Sequence, residues 1–592
     1  MNNEFLLNEI RINHVGFTPH SLKTFVIGNP PEKEFGVFKL QDTLFTCVYK
    51  GVLEQKGTEL EAGWVGNFTG FKDEGIYRIH CGELNSRCFI IYKDLYRNPA
   101  RLLHNYFLWQ RCGESGTGWD SPCHLDDSIT LPSGELKDLS GGYHQSCDLR
   151  KWTWGLSLGL VGLVQYALVA NAKWDNGQLE EEIKRGSEYL QKMTRDDGGI
   201  MDSCFLPEGW EARKEGENKG HNDYSALWGK REFYIQDSPD PSQWNSIRFQ
   251  ALAAKYFEKK DEEYSKKCLD YGLKNWSYMA SKKENTKYKP FKIPAIGHDN
   301  FFDNVFGGFY EGSALEYSHR LCAAISLYKA TGDNIYLDDA SKCATQLSNL
   351  QFEGDNITEN PASACFKEHA ESEAVANSYI YFWNTSAPIG LCDILELAPN
   401  HPDAAKWNIC VRKIAEQCNV ISKRNTWSRL PVTWKLDSPK GPVCFSFSTT
   451  SEGKDDDMNF GGNVVFKKGT QEDTPCFYRY YDFCYNLDII AQAIFLKKAS
   501  IILNNKDYAG LAHRQLDWIL GSNPFDSSSV EGLGYNQPHR GIFGEFFPPV
   551  PQIPGAVFTG ITKHSFDPKG YGLDNEYDMP MVGWLLWLMG NS

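Results

Sequence analysis

The chain has 592 residues, of which 41% are hydrophobic and 23% charged, and a formal net charge of −15. This is a folded chain, not a disordered one, and too long for one ordinary core. An acidic surface repels nucleic-acid phosphates and anionic lipid headgroups, which excludes both as partners and leaves neutral or cationic ligands open.

Residues 1–93 read as short strands. "EIRINHV", "KTFVIG", "FGVFKL" and "RCFIIY" are β-branched and aromatic runs separated by Gly, Pro and Asn, the pattern of a small β-sandwich. From about residue 100 to 592 the periodicity turns helical. "RKWTWGLSLGLVGLVQYALVANA", "ALEYSHRLCAAISLYKATGD", "HAESEAVANSYIYFW" and "CYNLDIIAQAIFLKKASIIL" are long and apolar at helical spacing, several of them followed by helix-stopping Gly, Asn or Pro. That length supplies about a dozen ordinary helices, which a closed double ring would bury and a solenoid would also accommodate.

The 17 cysteines are odd in number and scattered, unlike the dense framework of a small secreted domain. The opening "MNNEFLLNEIRINHVGF" has no basic stretch followed by an apolar one, and no run of about 18 apolar residues suggests a membrane span. A cytoplasmic, reducing address is expected, with a secreted protein whose leader has been removed as the alternative. Aromatic content is 14%, with 17 Trp, enough for a surface that stacks on flat apolar faces such as sugar rings, although most Trp at helical spacing are core.

Cys112, Cys123, His124 and His144 form the sharpest constellation. Two thiolates and two imidazoles are the set that Zn²⁺ takes in tetrahedral structural sites, and here they come from three short segments. The plain alternative is four ordinary buried side chains. Two oxygen-rich loops, "TRDDGGIMD" and "SEGKDDDMN", could take calcium but lack EF-hand spacing, and a solvated loop explains both.

Five stretches, in order, resemble glycoside hydrolase family 9, the inverting cellulase family. "IRINHVGFTP" resembles the opening strand of its immunoglobulin-like domain, and "FLWQRCG" the entrance to its (α/α)6 barrel. "LSGGYHQSCD" resembles its Gly-Gly-Trp-His-Asp-Ala-Gly-Asp motif, and "DWILGSNP" with "VEGLGYNQPHR" its late substrate-loop region. "DNEYDMPMVGWLLWL" resembles its terminal Asn-Glu motif and last helix. The resemblance implies a mainly α fold, an (α/α)6 barrel at 100–592 behind an immunoglobulin-like β-sandwich at 1–93. It also implies inverting hydrolysis of β-linked gluco-configured oligo- or polysaccharides, and a structural zinc on the four Cys and His residues, whose closed shell would brace the site and not activate water.

Residue by residue, the resemblance makes Glu576 the general acid and Asp148 the general base. A solvated acidic turn and a helix N-cap are the bland readings of these two residues. Asp574 and Asp578 flank Glu576, and their charge, if near, would help keep it protonated. The first Asp of the family's pair is replaced by Gln145, which can hold water through one hydrogen bond but carries no charge. The expectation is therefore an enzyme that works with one base and a water-orienting Gln, with a carbohydrate-binding relative of weak or no turnover as the alternative. His539 and Arg540 resemble the substrate-holding His and Arg in a shortened loop. Asn536 and Tyr535 are placed on the same groove edge, and Trp228 and Tyr224 near it. A short β-linked oligosaccharide, cello- or chitosan-type, is the expected partner.

Overall fold

The computed structural model describes residues 9–57, 63–113, 123–125, 127–130, 134–146, 151–170, 175–204, 234–237, 240–281, 311–358, 361–372, 375–376, 386–436, 476–479, 485–538, 552–561 and 576–591. Nine strands come first. One sheet runs β1 (Ile10–Arg11), β2 (Thr24–Ile27), β6 (Gly63–Asn67), β5 (Glu54–Lys56). The other runs β4 (Leu44–Val52), β3 (Glu34–Gln41), β7 (Gly75–Cys81), β8 (Leu84–Asn85), with β9 (Phe89–Ile91) also on β7. Alternation sets the faces: Tyr77, Ile79 and Cys81 of β7 are buried and join Phe25, Phe35, Val37 and Phe89 in the core between the sheets.

Twelve α-helices follow among the described residues: α1 (Arg97–Trp109), α2 (Thr153–Val169), α3 (Gln178–Lys192), α4 (Asp240–Phe257), α5 (Glu262–Ser281), α6 (Ala314–Thr331), α7 (Asn334–Asn349), α8 (Ala387–Leu397), α9 (Ala404–Ser422), α10 (Tyr485–Ile502), α11 (Lys506–Ile519) and α12 (Met579–Gly590). The even-numbered helices pack each on the next, and α12 returns to α2, closing an inner ring of six. The odd-numbered ones lie outside. This is the (α/α)6 barrel. The sequence explains the layering: α2 and α12 are apolar almost all round and buried along their length, whereas α3 is amphipathic with an acidic first turn. Local signals set the hairpins. Ser313 caps α6 by accepting from Glu316 N, and the Glu316 carboxylate accepts from Gly312 N. Gly332, left-handed at φ 71°, ends α6, and Asp333 then caps α7. No helix among the described residues is long and apolar enough to cross a membrane.

One helical expectation is corrected. In "HAESEAVANSYIYFW" the described residues are not helical: Ala376 N donates to Phe366 O and Val375 bridges Lys367, so the backbone pairs laterally instead of along a helix. The remainder of that stretch lies outside the described residues.

The sandwich is fastened to the barrel. Asn13 Nδ2 donates to Asp517 Oδ1 at 2.8 Å, His14 N to Leu520 O at 2.8 Å, and Thr426 Oγ1 to Lys56 O at 2.8 Å. Val26 and Val65 of the sandwich belong to the barrel's own core.

Candidate active site and metal centre

The site is built where α2 and α12 meet. These helices approach backbone to backbone because glycine stands at the contact. A Cβ on Gly583 would lie 2.0 Å from the Gly159 carbonyl oxygen, and one on Gly162 2.2 Å from the Gly583 carbonyl carbon. Trp584 Nε1 donates to Leu158 O at 3.0 Å and fixes the axial register. The segments leading into the two helices are therefore brought together: Ser146 bridges Asp578, and Met579 N donates to Gln145 O at 3.0 Å. On the far side of the same strand Tyr577 bridges Phe558, and Thr559 N donates to Glu576 O at 2.8 Å.

Glu576, the expected acid, is half-buried on this strand. Asp148, the expected base, lies outside the described residues, two positions along the chain from Ser146. Gln145 is 2% exposed and its Nε2 donates to both oxygens of Asp578, at 2.9 and 3.1 Å. Asp578 is the N-cap residue of α12, yet its carboxylate makes no cap bond, and Pro580 removes one of the donors it would have satisfied. Tyr106 OH donates to Gln145 O at 3.1 Å, and Gln110 Nε2 to Ser146 O at 3.1 Å, so α1 also holds this strand.

The four expected metal ligands converge. One ligand atom from each of Cys112, Cys123, His124 and His144 lies within 4.8 Å of the others, and all four residues are buried. Short backbone pairings assemble them: Cys112 N donates to Gly142 O, Gly113 N to Cys123 O, and His144 N to Gln110 O. Cys123 Sγ and His144 Nε2 are 3.5 Å apart. His124 is held in a left-handed conformation at φ 57°, costly for a residue with a Cβ and the kind of strain a ligand site retains. Its Nδ1 is 3.0 Å from Asp127 Oδ2, which leaves Nε2 as the ligand nitrogen. Lys151 Nζ in turn donates to the same carboxylate at 2.6 Å. A carboxylate behind a histidine is the usual outer support of a zinc site. Burial, and then Cys123, push the Cys112 thiol well above its ordinary range, while burial lowers His144. Metal entry would therefore expel thiol protons. The donor set and its closeness fit Zn²⁺ with four protein ligands and no open position.

Glu182 of α3 ties the centre to the barrel. It is fully buried and accepts from Arg111 Nε and Nη2 at 3.0 and 2.8 Å and from Tyr143 OH at 2.7 Å. Arg111 and Tyr143 immediately precede the ligands Cys112 and His144. One carboxylate thus positions two ligand segments. Neither it nor Asp127 and Lys151 was picked out in the sequence. Asp127, three residues after His124, had a spacing that could have been noticed; Glu182, 38 residues from the nearest ligand segment, had none.

The groove residues divide. Tyr535 stands at the junction with the sandwich: its ring stacks on His14 at 3.8 Å and its OH donates to Asp526 Oδ1 at 2.8 Å. Asn536 Nδ2 donates to Asp526 O at 2.8 Å. Their polar groups hold this loop at the junction with the sandwich. His539, Arg540, Trp228, Tyr224 and Asp574 lie outside the described residues. In "TRDDGGIMD" both oxygens of Asp197 accept from Arg195 at 3.0 Å, which closes a turn; "SEGKDDDMN" is outside the described residues.

A six-hairpin helical barrel behind an immunoglobulin-like sandwich defines the class. Residues 96–542 match the model of glycosyl hydrolase family 9, and residues 7–86 that of the cellulase N-terminal ig-like domain. The chain belongs to glycosyl hydrolase family 9. It is 22% identical over 373 residues to the cellodextrinase of Butyrivibrio fibrisolvens, a match covering 58% of this chain and 62% of that protein, just under two thirds of its length. The family 9 glycoside hydrolase of Bacteroides ovatus has the same fold, with a TM-score of 0.64 at 17% identity over 99% of this chain and 98% of that one. A Zn-binding triple mutant of the family 9 endoglucanase J30 superposes with a TM-score of 0.61 at 16% identity, covering 97% of this chain and 99% of that one.

Proposed function

We propose that the protein is an inverting glycoside hydrolase acting on short β-linked, gluco-configured oligosaccharides of the cello- or chitosan-oligosaccharide type. The observation that carries this reading is the bridge between Ser146 and Asp578, which joins the strand leading to Asp148 to the strand bearing Glu576. In the reaction Glu576 gives its proton to the glycosidic oxygen as the bond to the anomeric carbon breaks. Water attacks that carbon from the opposite face, and its proton passes to Asp148. His539 and Arg540 would hold sugar hydroxyls. Zinc on Cys112, Cys123, His124 and His144 would supply structure alone, locking the strand that leads to Gln145.

Twelve cysteines of the described residues form no disulfide, ten of them buried, which supports a reducing, cytoplasmic address and substrates small enough to be taken up. A second reading, carbohydrate binding without turnover, is favoured by one feature, the absence of a carboxylate at position 145. Incubation with defined cello- and chitosan-oligosaccharides, with products followed chromatographically, separates the two. Shortened oligosaccharides are expected. Calorimetric binding with no new reducing ends on any substrate would instead establish the binding protein.

A further inference from the structure

The pairing of Gln145 with Asp578 is more than a strand contact. Gln145 directs one amide nitrogen at both oxygens of a carboxylate that is itself 3% exposed. The other end of the amide, Oε1, is buried and accepts no hydrogen bond among the described residues. The side chain cannot simply swing away, because the first turn of α2 closes over it: a Cβ on Gly155 would lie 2.2 Å from Nε2. Asp578 meanwhile forgoes the cap bond that its place at the start of α12 offers.

An amide that donates to a carboxylate is polarised, and its carbonyl oxygen becomes a better acceptor, since hydrogen bonds in series strengthen one another. A buried carbonyl oxygen with no partner is costly unless something comes to it. We propose that Asp578 and Gln145 act as one unit that replaces a carboxylate at position 145. Gln145 Oε1 accepts a hydrogen bond from the attacking water, and Asp578, acting through Gln145, supplies the negative charge that position 145 lacks. Asp578 is then a positioning residue, not the base. Within the hydrolase reading, its charge also favours the protonated form of the base Asp148 and so keeps that residue basic. The inference rests on the hydrolase reading, and it adds a role for Asp578 beyond helping to keep Glu576 protonated.

The test uses the full-length protein and four forms: wild type, Asp578→Asn, Gln145→Glu and the reciprocal double variant. Asn at 578 keeps an oxygen for Gln145 Nε2 but removes the charge. It is expected to lower kcat roughly tenfold or more with KM for a cello-oligosaccharide within about threefold. It should also move the acidic limb of the pH–kcat profile down by roughly one unit. Glu at 145 sets two carboxylates against each other and is expected to be impaired at neutral pH. The double variant exchanges acid and amide without changing shape, and should recover much of what either single change loses. Thermal unfolding of each form identifies a variant that has merely failed to fold; if Asp578→Asn unfolds, the comparison of the double variant with Gln145→Glu decides. An Asp578→Asn protein with wild-type kcat and an unmoved acidic limb would overturn the proposal, as would a double variant no better than its worse parent. If the wild type itself turns over no oligosaccharide, it is the hydrolase reading that fails.

Discussion

Glu576→Gln is expected to lower kcat on cello-oligosaccharides by about 10²–10⁴-fold, the usual contribution of a positioned general acid. That corresponds to roughly 3–5 kcal/mol of lost transition-state stabilisation. The loss should depend on the leaving group. A sugar alkoxide is a poor leaving group and needs the proton; a nitrophenolate leaves without one. The variant should therefore keep far more of its activity on an aryl glycoside than on an oligosaccharide. Glu576 is half-buried and its strand is held through the backbone, by Thr559 N on Glu576 O and by the Tyr577–Phe558 bridge. Folding should accordingly be little affected, and KM should change less than kcat. Equal activity of variant and wild type on a natural oligosaccharide would mean that another group is the acid.

The second large effect concerns the metal. Protein purified without added metal should carry close to one zinc per chain, measured by elemental analysis. Removing it with a chelator, or replacing Cys123 with Ser, should lower Tm by roughly 2–5 °C, the equivalent of a few kcal/mol in a domain of this size. The reason is structural. Cys112, Cys123, His124 and His144 sit on chain segments with little regular secondary structure, paired by single backbone hydrogen bonds. Without the ion, two buried thiols and two buried imidazoles face one another with no charge to organise them. Activity should fall as well, because His144 immediately precedes Gln145 and Ser146, the residues that bridge to α12. Folded, active protein with a zinc content near zero would show the four residues to be packing only.

The architecture was largely legible in the sequence because its signals are local. Short β-branched and aromatic runs, "KTFVIG" and "FGVFKL", set off by Gly, Pro and Asn, mark strands β2 and β3, and the all-round apolar "LSLGLVGLVQYALV" marks a helix of the inner ring. The cluster of Cys112, Cys123, His124 and His144 was legible for a chemical reason: Cys and His in a Cys₂His₂ set have few other joint uses. The stretch "HAESEAVANSYIYFW" misled because apolar spacing alone cannot distinguish a helix from a loop whose hydrogen bonds go to a neighbouring segment, here Phe366 and Lys367. The contact of Tyr535 with the sandwich was not legible: an aromatic ring with a hydroxyl suits a domain junction as well as a groove, and His14, more than 500 residues earlier, takes its face. The Gln145–Asp578 pair and the Glu182 hub were invisible for the same reason. Each joins residues far apart in the chain: closure of α12 on α2 brings Gln145 to Asp578, and the packing of α3 beside α1 brings Glu182 to Arg111.

Recording which anomer is released first tests the central claim most directly. If Glu576 and Asp148 act as acid and base, with water between the base and the sugar, the new hydroxyl must arrive on the side opposite the departing group. Proton NMR of the first minutes of cello-oligosaccharide hydrolysis should therefore display the α-anomer ahead of mutarotation. An initial β-anomer would require a covalent intermediate, and with it a different arrangement of the two carboxylates from the one proposed here.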